Sequence, residues 1–405
     1  MNVKIILKQP YPYGMACTNR IHNYALGLTE AGHNVEIIVP LPLEKKSTAK
    51  NKNILGNHQG IDYLYANNTT YRSNNFIKRR IQDIAGPLLA AKHILFQKQP
   101  TDVVLVVSNY LYHIFTFKVV SLITGALYIQ EKSEFPFVFK KKPSLTGRIF
   151  RNIHNKTIYK LFDGILVISE SLHSFFESKI GKNSKLLKVP VIVNMKEFPS
   201  PDPEAPPFIA YSGNLSDKKD GIISLIKSFA IVSKKHSELK FYVIGKGGIK
   251  DEQKVKRLIA ELNLERQVIL TGYVSREELL YYLSNALALV VAKPDTLQSS
   301  TCFPSKIGEY LATGKPVVST NVGEIPYYLK DLENALLVNA GDHEAFAHKI
   351  DFIIENHDQS LLIGRKGKLT AENNFNYKTQ GNRISEFLEK LALKKQKGFT
   401  KKTNA

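Results

Sequence analysis

The C-terminal half of the sequence contains the stretch FPSKIGEYLATGKPVV at residues 303–318, which predicts a loop, a short helix, a tight turn and a buried strand. Pro304 and Ser305 are typical of a helix start, because proline loses no needed N–H there and serine can accept from an unpaired backbone donor. Gly314 is typical of the left-handed residue just after a helix. The helix therefore carries Glu309 near the sheet edge at which α/β proteins bind ligands.

The same alternation of strands and helices extends over most of the 405 residues. Residues 3–7, 18–31 and 35–40 predict a strand, a helix and a second strand, which is the βαβ unit of a parallel sheet. The polar stretch 44–59 predicts a loop, and five prolines between 199 and 207 predict an extended linker. We expect an α/β protein with two doubly wound, Rossmann-like domains. The expected segments are an N-terminal domain at 1–198, a linker at 199–207, a C-terminal domain at 208–375, a helix at 376–393 that packs back on the N-terminal domain, and a disordered basic tail at 394–405.

The composition is that of an ordinary globular protein, with 43% hydrophobic and 23% charged residues. Cys17 and Cys302 are too far apart in sequence to suggest a disulfide framework or a zinc site. The most apolar region, residues 103–129, is interrupted by polar side chains, so we expect no transmembrane helix. These features predict a cytoplasmic protein.

The net charge of +20 is concentrated in the first half, because residues 1–200 hold 27 Lys and Arg but 12 Asp and Glu. Such an excess favours an anionic partner: nucleic acid, an anionic membrane surface or a phosphorylated substrate. The segment 140–160 is basic and amphipathic, and such a helix either lies on an anionic bilayer or packs on its own sheet with a solvated cationic face. Docking on the inner face of the cytoplasmic membrane is the corresponding expectation.

Two stretches of the second half predict a phosphate site. Residues 213–221, GNLSDKKDG, follow a strand and precede a helix, so their backbone donors and lysines suit a phosphate, although an ordinary surface loop has the same pattern. In the other stretch, Glu309 suits two ribose hydroxyls while the backbone near Ser305 and Lys306 suits a diphosphate. A capping role for Glu309 is the alternative, but it lies one residue beyond the capping-box spacing from Ser305.

Together the two stretches resemble the family 4 glycosyltransferases, which are retaining enzymes with the two-domain GT-B fold. The resemblance also rests on the loop around Gly14, the strand at 163–169, the linker, and Gly245 with Gly247. It implies two domains facing across a cleft and a hexosyltransferase-type activity. The sugar would move from a nucleotide-diphosphate-sugar to a hydroxyl of a lipid-linked glycan, with neither a metal nor another cofactor and with no nucleic-acid partner. The variant FPSK at 303–306 resembles members that build bacterial surface polysaccharides.

The resemblance also implies roles for individual residues. Lys219 matches the lysine that neutralises the donor diphosphate, and Glu309 matches the glutamate that holds the ribose. The expected donor-binding residues are Gly14, Gly213, Asn214, Tyr273, Ser305 and Lys306. Two positions depart from the family: Asn214 stands where an arginine is common, so Lys218 or Lys306 would supply that charge, and Thr301 replaces the first of two paired glutamates.

A further candidate site follows the strand near residue 130. Glu131 and Glu134 suit contacts with acceptor or sugar hydroxyls, although charged loop residues are an equal alternative, and His113 is a weaker candidate. Three rival functions each match some feature of the sequence. An oxidoreductase lacks support because GKGG at 245–248 misses the third glycine of the dinucleotide fingerprint, and a nucleic-acid binder lacks a recognisable module. A nucleotide-sugar epimerase of the same fold remains an alternative.

Overall fold

The computed structural model describes residues 1–135 and 145–403. The chain forms two compact units. Unit 1 comprises Met1–Ile192 together with the C-terminal segment that begins at Tyr377, and unit 2 comprises Val193–Asn376. Each unit has a sheet with helices on it and its own hydrophobic core.

Unit 1 contains an eight-stranded sheet in the order β3-β4-β2-β1-β5-β6-β7-β8. Neighbouring strands are parallel except for the antiparallel pair β3 and β4. The central strands are almost completely buried, as expected for a parallel sheet covered on both faces. The strands are β1 (Asn2–Leu7), β2 (Asn34–Val39), β3 (Leu55–His58), β4 (Ile61–Tyr65), β5 (Val103–Val107), β6 (Leu127–Lys132), β7 (Gly164–Val167) and β8 (Lys185–Lys188).

In the described part of unit 1, the α-helices between these strands are α1 (Ala16–Glu30), α2 (Phe76–Phe96), α3 (Leu111–Thr124), α4 (Leu145–Lys156) and α5 (Glu170–Glu177). The chain leaves β1 towards β2 through α1, whereas the steps through α2 to α5 run in the opposite direction along the sheet. Because such crossovers are right-handed, α1 covers one face and α2 to α5 cover the other. Helices α2 and α3 contact each other.

Unit 2 contains a six-stranded parallel sheet in the order β11-β10-β9-β12-β13-β14. Its strands are β9 (Phe208–Ser212), β10 (Lys240–Ile244), β11 (Val268–Gly272), β12 (Ala288–Val291), β13 (Val317–Thr320) and β14 (Leu336–Val338). Its helices are α6 (Asp217–Asp220), α7 (Ile222–Val232), α8 (Ile249–Glu261), α9 (Arg276–Asn285), α10 (Leu297–Thr301), α11 (Ser305–Ala312), α12 (His343–Glu355) and α13 (His357–Asn374). The predicted α/β class with two doubly wound domains is confirmed.

The last helix, α14 (Tyr377–Thr403), belongs to unit 1 and packs against α1. The two backbones touch at Gly27 and Gly381, where a Cβ on either glycine would overlap main-chain atoms of the other segment. His33 Nε2 and Ser385 Oγ lie 2.7 Å apart beside this contact. The helix continues to Thr403, through most of the segment that the sequence predicted to be disordered.

The proline segment 199–207 lies within unit 2 rather than between the units. Its backbone is anchored, because Asp202 N donates to Asn285 Oδ1 at 2.6 Å and Tyr281 Oη donates to Asp202 Oδ2 at 3.3 Å. Prolines keep this chain extended, but these bonds attach it to α9. The boundary between the units falls at residue 193, ahead of the predicted linker.

Among the described residues, no helix has the length and apolar character needed to cross a bilayer.

Candidate functional site

The order of the unit 2 sheet defines one crevice at its carboxyl edge. The chain passes from β9 to β10 on one side, whereas β12 pairs with β9 on the other. Such a reversal separates the loops that follow the two strands, and α/β proteins bind ligands there. The loops after β9 and β12 and the start of α11 are therefore the elements that position the candidate site.

Two glycines allow the loops at this carboxyl edge to approach each other closely. Gly213 has φ +155°, and a Cβ on it would overlap Lys306 Nζ and lie 2.6 Å from Tyr211 Oη. A Cβ on Gly221, which has φ +68°, would overlap the carbonyl of Ala292. The first glycine leaves space for a lysine side chain, and the second fixes the loop 213–221 to the end of β12.

Asp220 is the centre of a buried charge cluster at this edge. Its Oδ2 accepts from Tyr211 Oη at 3.0 Å and from Asn214 N at 3.2 Å, and it lies 3.3 Å from Lys306 Nζ. Its Oδ1 forms an ion pair with Lys293, whose Nζ also donates to the carbonyl of Lys219 at 2.8 Å. The carboxylate thus joins β9, the glycine loop, the end of β12 and α11.

The two lysines hold Asp220 ionised. Burial alone would raise the pKa of the Asp220 carboxyl, but Lys306 and Lys293 outweigh burial and hold that pKa well below its usual range. Burial lowers the pKa of Lys306 to about 8, against the opposing attraction of Asp220. At neutral pH the cluster therefore contains two cations and one anion, and its excess positive charge suits an anionic ligand.

The start of α11 adds backbone donors beside Lys306. Pro304 is the N-cap residue and Ser305 the first helical residue, and no side chain caps the helix, so Ser305 does not cap it as the sequence predicted. Within the described residues, no acceptor is bonded to the N–H groups of Ser305 and Lys306. Unpaired donors at a helix N-terminus bind phosphate and other anions.

Glu309 lies one helical turn further along α11 and is paired with an arginine that the sequence analysis did not single out. Arg276 Nη1 lies 2.6 Å from Glu309 Oε1, and Arg276 Nη2 lies 2.9 Å from Glu197 Oε2. Burial alone would lower the pKa of Arg276, but the two carboxylates raise it. No described residue bonds Glu309 Oε2, which leaves one carboxylate oxygen to accept a ligand hydroxyl.

Lys219 contributes its backbone to the cluster, whereas its side chain is exposed and makes no hydrogen bond among the described residues. Its charge is close enough to lower the pKa of Lys306 slightly. The side chain of Asn214 accepts from Ser216 N at 2.9 Å and so shapes the glycine loop. Thr301 is buried at the end of α10.

Tyr273 lies apart from this cluster in sequence and follows β11 directly. Its ring is 68% exposed, and Lys246 Nζ lies 5.6 Å from the ring centroid. An exposed aromatic ring at a strand end can stack on a base.

Gly14, Glu131 and Glu134 belong to unit 1. Gly14 precedes α1, and a Cβ there would overlap the side chain of Thr18, so this close approach requires glycine. Glu131 is buried in β6 with its Oε1 3.0 Å from Arg20 Nε; burial raises the pKa of Glu131 although Arg20 opposes that rise. Its side chain thus lies inside unit 1, whereas Glu134 is exposed.

Two further ionisable groups of unit 1 are buried. Burial lowers the pKa of Lys132 to about 7, and its Nζ contacts Asn109 Oδ1. Burial lowers the pKa of His113 to about 4, and neither ring nitrogen has a hydrogen-bond partner in the described part of the chain. His113 is therefore a neutral core residue of α3, packed edge-on against Tyr112.

Local patterns could not reveal three members of the unit 2 site. The sequence pattern marks Asp220 only as part of the glycine loop, and Lys293 and Arg276 meet their partners 73 and 33 residues away in sequence. The available signals were a lysine two residues after the apolar strand β12 and an arginine at the start of α9. Groups of three or more His, Cys, Asp or Glu side chains suited to a metal ion do not occur among the described residues.

The candidate site of unit 2 lies within a segment that matches a known protein family. Residues 194–370 match the model of the family described as glycosyl transferases group 1. Unit 2 carries the sequence pattern of that family. The resemblance to glycosyltransferases that the motifs indicated is thereby confirmed.

Curated relatives show the same likeness. The chain is 23% identical over 241 residues to the GDP-mannose-dependent alpha-(1-6)-phosphatidylinositol monomannoside mannosyltransferase of Mycolicibacterium smegmatis, with 56% of this chain and 62% of the relative aligned. It is 26% identical over 182 residues to the amylovoran biosynthesis glycosyltransferase AmsK of Erwinia amylovora, with 44% and 43% aligned. The chain thus spans less than two thirds of the length of these relatives.

A solved structure has the same fold over nearly the whole chain. Anabaena HepE in complex with UDP-glucose superposes with a TM-score of 0.71 at 14% identity, covering 96% of this chain and 100% of that one. The fold is that of the two-domain GT-B glycosyltransferases.

Proposed function

We propose that this protein is a retaining glycosyltransferase of family 4 that acts in bacterial surface-polysaccharide biosynthesis. It moves a sugar from a nucleotide-diphosphate-sugar to a hydroxyl group of a lipid-linked glycan. The observation that carries the proposal is the Asp220 cluster, in which Lys293 and Lys306 lie beside the unpaired N–H groups of α11. A diphosphate suits this cationic edge.

In the proposed reaction, unit 2 holds the donor and unit 1 holds the acceptor. Lys306 and the backbone donors of Ser305 and Lys306 bind the diphosphate, and Lys219 approaches it from the exposed side of the loop. As the bond between the anomeric carbon and the diphosphate oxygen breaks, these groups stabilise the negative charge on the leaving group. The acceptor oxygen bonds to the anomeric carbon on the same face, and its proton passes to the diphosphate.

The other donor contacts belong to the same proposal. Glu309 accepts a ribose hydroxyl through Oε2 while Arg276 holds Oε1. Tyr273 stacks on the base, and Gly213 and Asn214 form the loop under the phosphates. Lysines and a helix N-terminus supply the positive charge that a metal ion provides at other phosphate sites, so we propose that the reaction needs no metal. Glu134 remains the candidate for an acceptor contact.

Unit 1 is proposed to contact an anionic membrane, where a lipid-linked acceptor would be found. Helix α4 exposes Leu145, Ile149 and Ile153 on one side, and Arg148 and Lys156 are exposed on the same helix. This is the composition of a helix that lies on a bilayer surface. Lys140–Lys142, the start of the predicted basic segment, lie outside the described residues.

The test measures transfer from a panel of nucleotide sugars to a lipid-linked glycan acceptor. Lys219→Ala and Glu309→Ala are expected to lower the rate of transfer by about tenfold or more, because each loses a charge-assisted contact to the donor. Exposed residues of the same unit provide the matched controls Lys256→Ala and Glu265→Ala, which should keep full activity. Full rates in both site variants would show that the site is assigned wrongly. Turnover of donor without any acceptor would instead indicate the epimerase.

A further inference from the structure

Unit 1 has a polar pocket of about 370 Å³ at the outer edge of its sheet, which we name the Tyr13 pocket. Its lining comes from the loop after β1, the segment before β3 and the hairpin of β3 and β4. The sheet order of unit 1 reverses between β1 and β5, whereas β3 is three strand spacings, or about 14 Å, from β1. The pocket therefore lies to one side of that crevice, and its volume is within the range of small-molecule sites, about 300–1,000 Å³.

Buried hydrogen bonds hold the lining of the Tyr13 pocket in place. Asn51 is 4% exposed, and its Nδ2 donates to the carbonyl of Tyr11 at 2.9 Å. Its Oδ1 accepts from Asn53 N at 2.9 Å and from Tyr63 Oη at 3.4 Å. One buried amide thus joins the loop after β1, the segment before β3 and strand β4, so the lining needs no ligand to keep its shape.

Three side chains of the lining offer polar groups to a ligand. Tyr13 is 51% exposed, and its ring meets that of His58 edge-on, with the ring centroids 5.8 Å apart. Lys52 and Asn53 are exposed. In the part of the chain that the structure describes, neither the Tyr13 hydroxyl nor these two side chains make a hydrogen bond. The pocket therefore offers an aromatic ring, an amide that both donates and accepts, and an ammonium group.

These groups suit a sugar ring with an acidic substituent. The C–H face of a pyranose is apolar and packs on an aromatic ring, while its hydroxyls donate and accept hydrogen bonds around the edge. Lys50 and Lys52 add positive charge, and the described lining contains no carboxylate. Glu44 lies near enough to Lys50 to interact with it, but Lys52 has no ion pair with a described residue. A sugar that carries a carboxylate or phosphate group therefore fits better than a neutral one.

We propose that the Tyr13 pocket binds an acidic sugar unit of the acceptor glycan, away from the hydroxyl that receives the transferred sugar. It is an accessory subsite for a glycan longer than one sugar. Naming this glycan as the acceptor rests on the proposed function, whereas the binding of an acidic glycan does not. A subsite remote from the reacting atoms binds the acceptor equally well in the ground state and the transition state, so it lowers the acceptor KM and leaves kcat unchanged.

The first experiment applies the full chain to an array of bacterial oligosaccharides that are carboxylated, phosphorylated or neutral. We expect acidic members to be bound, and calorimetry with the strongest of them gives the affinity. The double variant Tyr13→Ala with Lys52→Gln should lower that affinity by about tenfold or more, because a ring contact and a charge-assisted contact are both lost. The matched control, Phe96→Ala with Lys98→Gln, changes an 81% exposed ring and an exposed lysine elsewhere in unit 1 and should leave the affinity unchanged.

The second experiment measures transfer to lipid-linked acceptors with one sugar or with several. The Tyr13 and Lys52 variant should raise the KM of the longer acceptor by about tenfold with kcat unchanged, and should leave the KM of the one-sugar acceptor unchanged.

The proposal is overturned if no acidic glycan binds, if neutral glycans bind as tightly as acidic ones, or if the double variant binds like the wild type. A different result separates this inference from the proposed function. If the wild type transfers no sugar but binds an acidic glycan that the double variant loses, the glycan site is supported while the proposed function is contradicted.

Discussion

At the scale of single residues, Asp220 determines the arrangement of the candidate site. It is 4% exposed and holds two lysines from different elements, while it also accepts from Tyr211. Removing one member of a buried ionic group costs more than forming the group contributes, because the remaining charges stay buried without a partner. A substitution of Asp220 that removes the charge but keeps the size of the side chain should therefore destabilise the fold.

We expect Asp220→Asn to lower the free energy of unfolding by about 3 kcal/mol, because Lys293 and Lys306 would then repel each other in a buried site. Chemical denaturation followed by circular dichroism measures this change. Asp295→Asn is the matched control, since Asp295 is exposed in the loop after β12 and should tolerate the change. Equal stability of the two variants would contradict the role given to Asp220.

We expect Lys306 to make diphosphate binding depend on pH. Burial lowers its pKa to about 8, so the protonated fraction falls as the pH rises through that value. The affinity for a nucleoside diphosphate should therefore be highest below pH 8 and decline above it. Because the bound anion favours the protonated lysine, binding near pH 8 should also take up protons, which calorimetry in buffers of different ionisation enthalpy measures.

The matched variant for this pH dependence is Lys306→Arg, which stays charged throughout the range. Its affinity should change little between pH 7 and about 9.5, even if its absolute value differs from that of the wild type. A wild-type profile that is flat over the same range would contradict the assignment of Lys306 to the phosphate site.

At the scale of elements, the local residue pattern predicted helix α11 but did not predict helix α2. Helix α11 begins at the predicted proline and serine although Ser305 does not cap it, and its end follows from Gly314, which has φ +75°. In α2, Gly86 and Pro87 interrupt the helix pattern, and apolar residues on two opposite faces hide the amphipathic period. Strand β3 was missed because its residues lie in a polar stretch and pair through a turn at Gln59 and Gly60.

The contact of α1 with α14 gives a prediction at this scale. Gly381→Ala places a methyl group against the backbone of Gly27, so the helices must separate. Overpacking of this kind costs about 1–3 kcal/mol and outweighs the gain of about 1 kcal/mol in helix propensity. Thermal unfolding should show a lower Tm for this variant. The control Asn382→Ala, on the exposed side of α14, should match or exceed the wild type, and the account of this contact fails if both variants behave alike.

At the scale of the whole molecule, the sequence predicted the two-domain α/β architecture because the strand–helix alternation and the buried strands are local signals. It also singled out the loop 213–221 and the start of α11, two segments that the Asp220 cluster joins in the structure. The sequence did not predict the ion pairs Asp220–Lys293 and Glu309–Arg276, because these residues meet only once the strands of the sheet are in order. The attachment of residues 199–207 to unit 2 likewise rests on long-range hydrogen bonds, those that tie Asp202 to α9.

The central claim is that unit 2 holds a nucleotide diphosphate at the Asp220 cluster. Calorimetric titration of the full chain with a panel of nucleoside diphosphates tests it most directly. We expect one of them to bind, Lys306→Ala to weaken that binding by about tenfold or more, and Lys256→Ala to leave it unchanged. Binding by Lys306→Ala with wild-type affinity, in a variant whose Tm shows it to be folded, would contradict the claim.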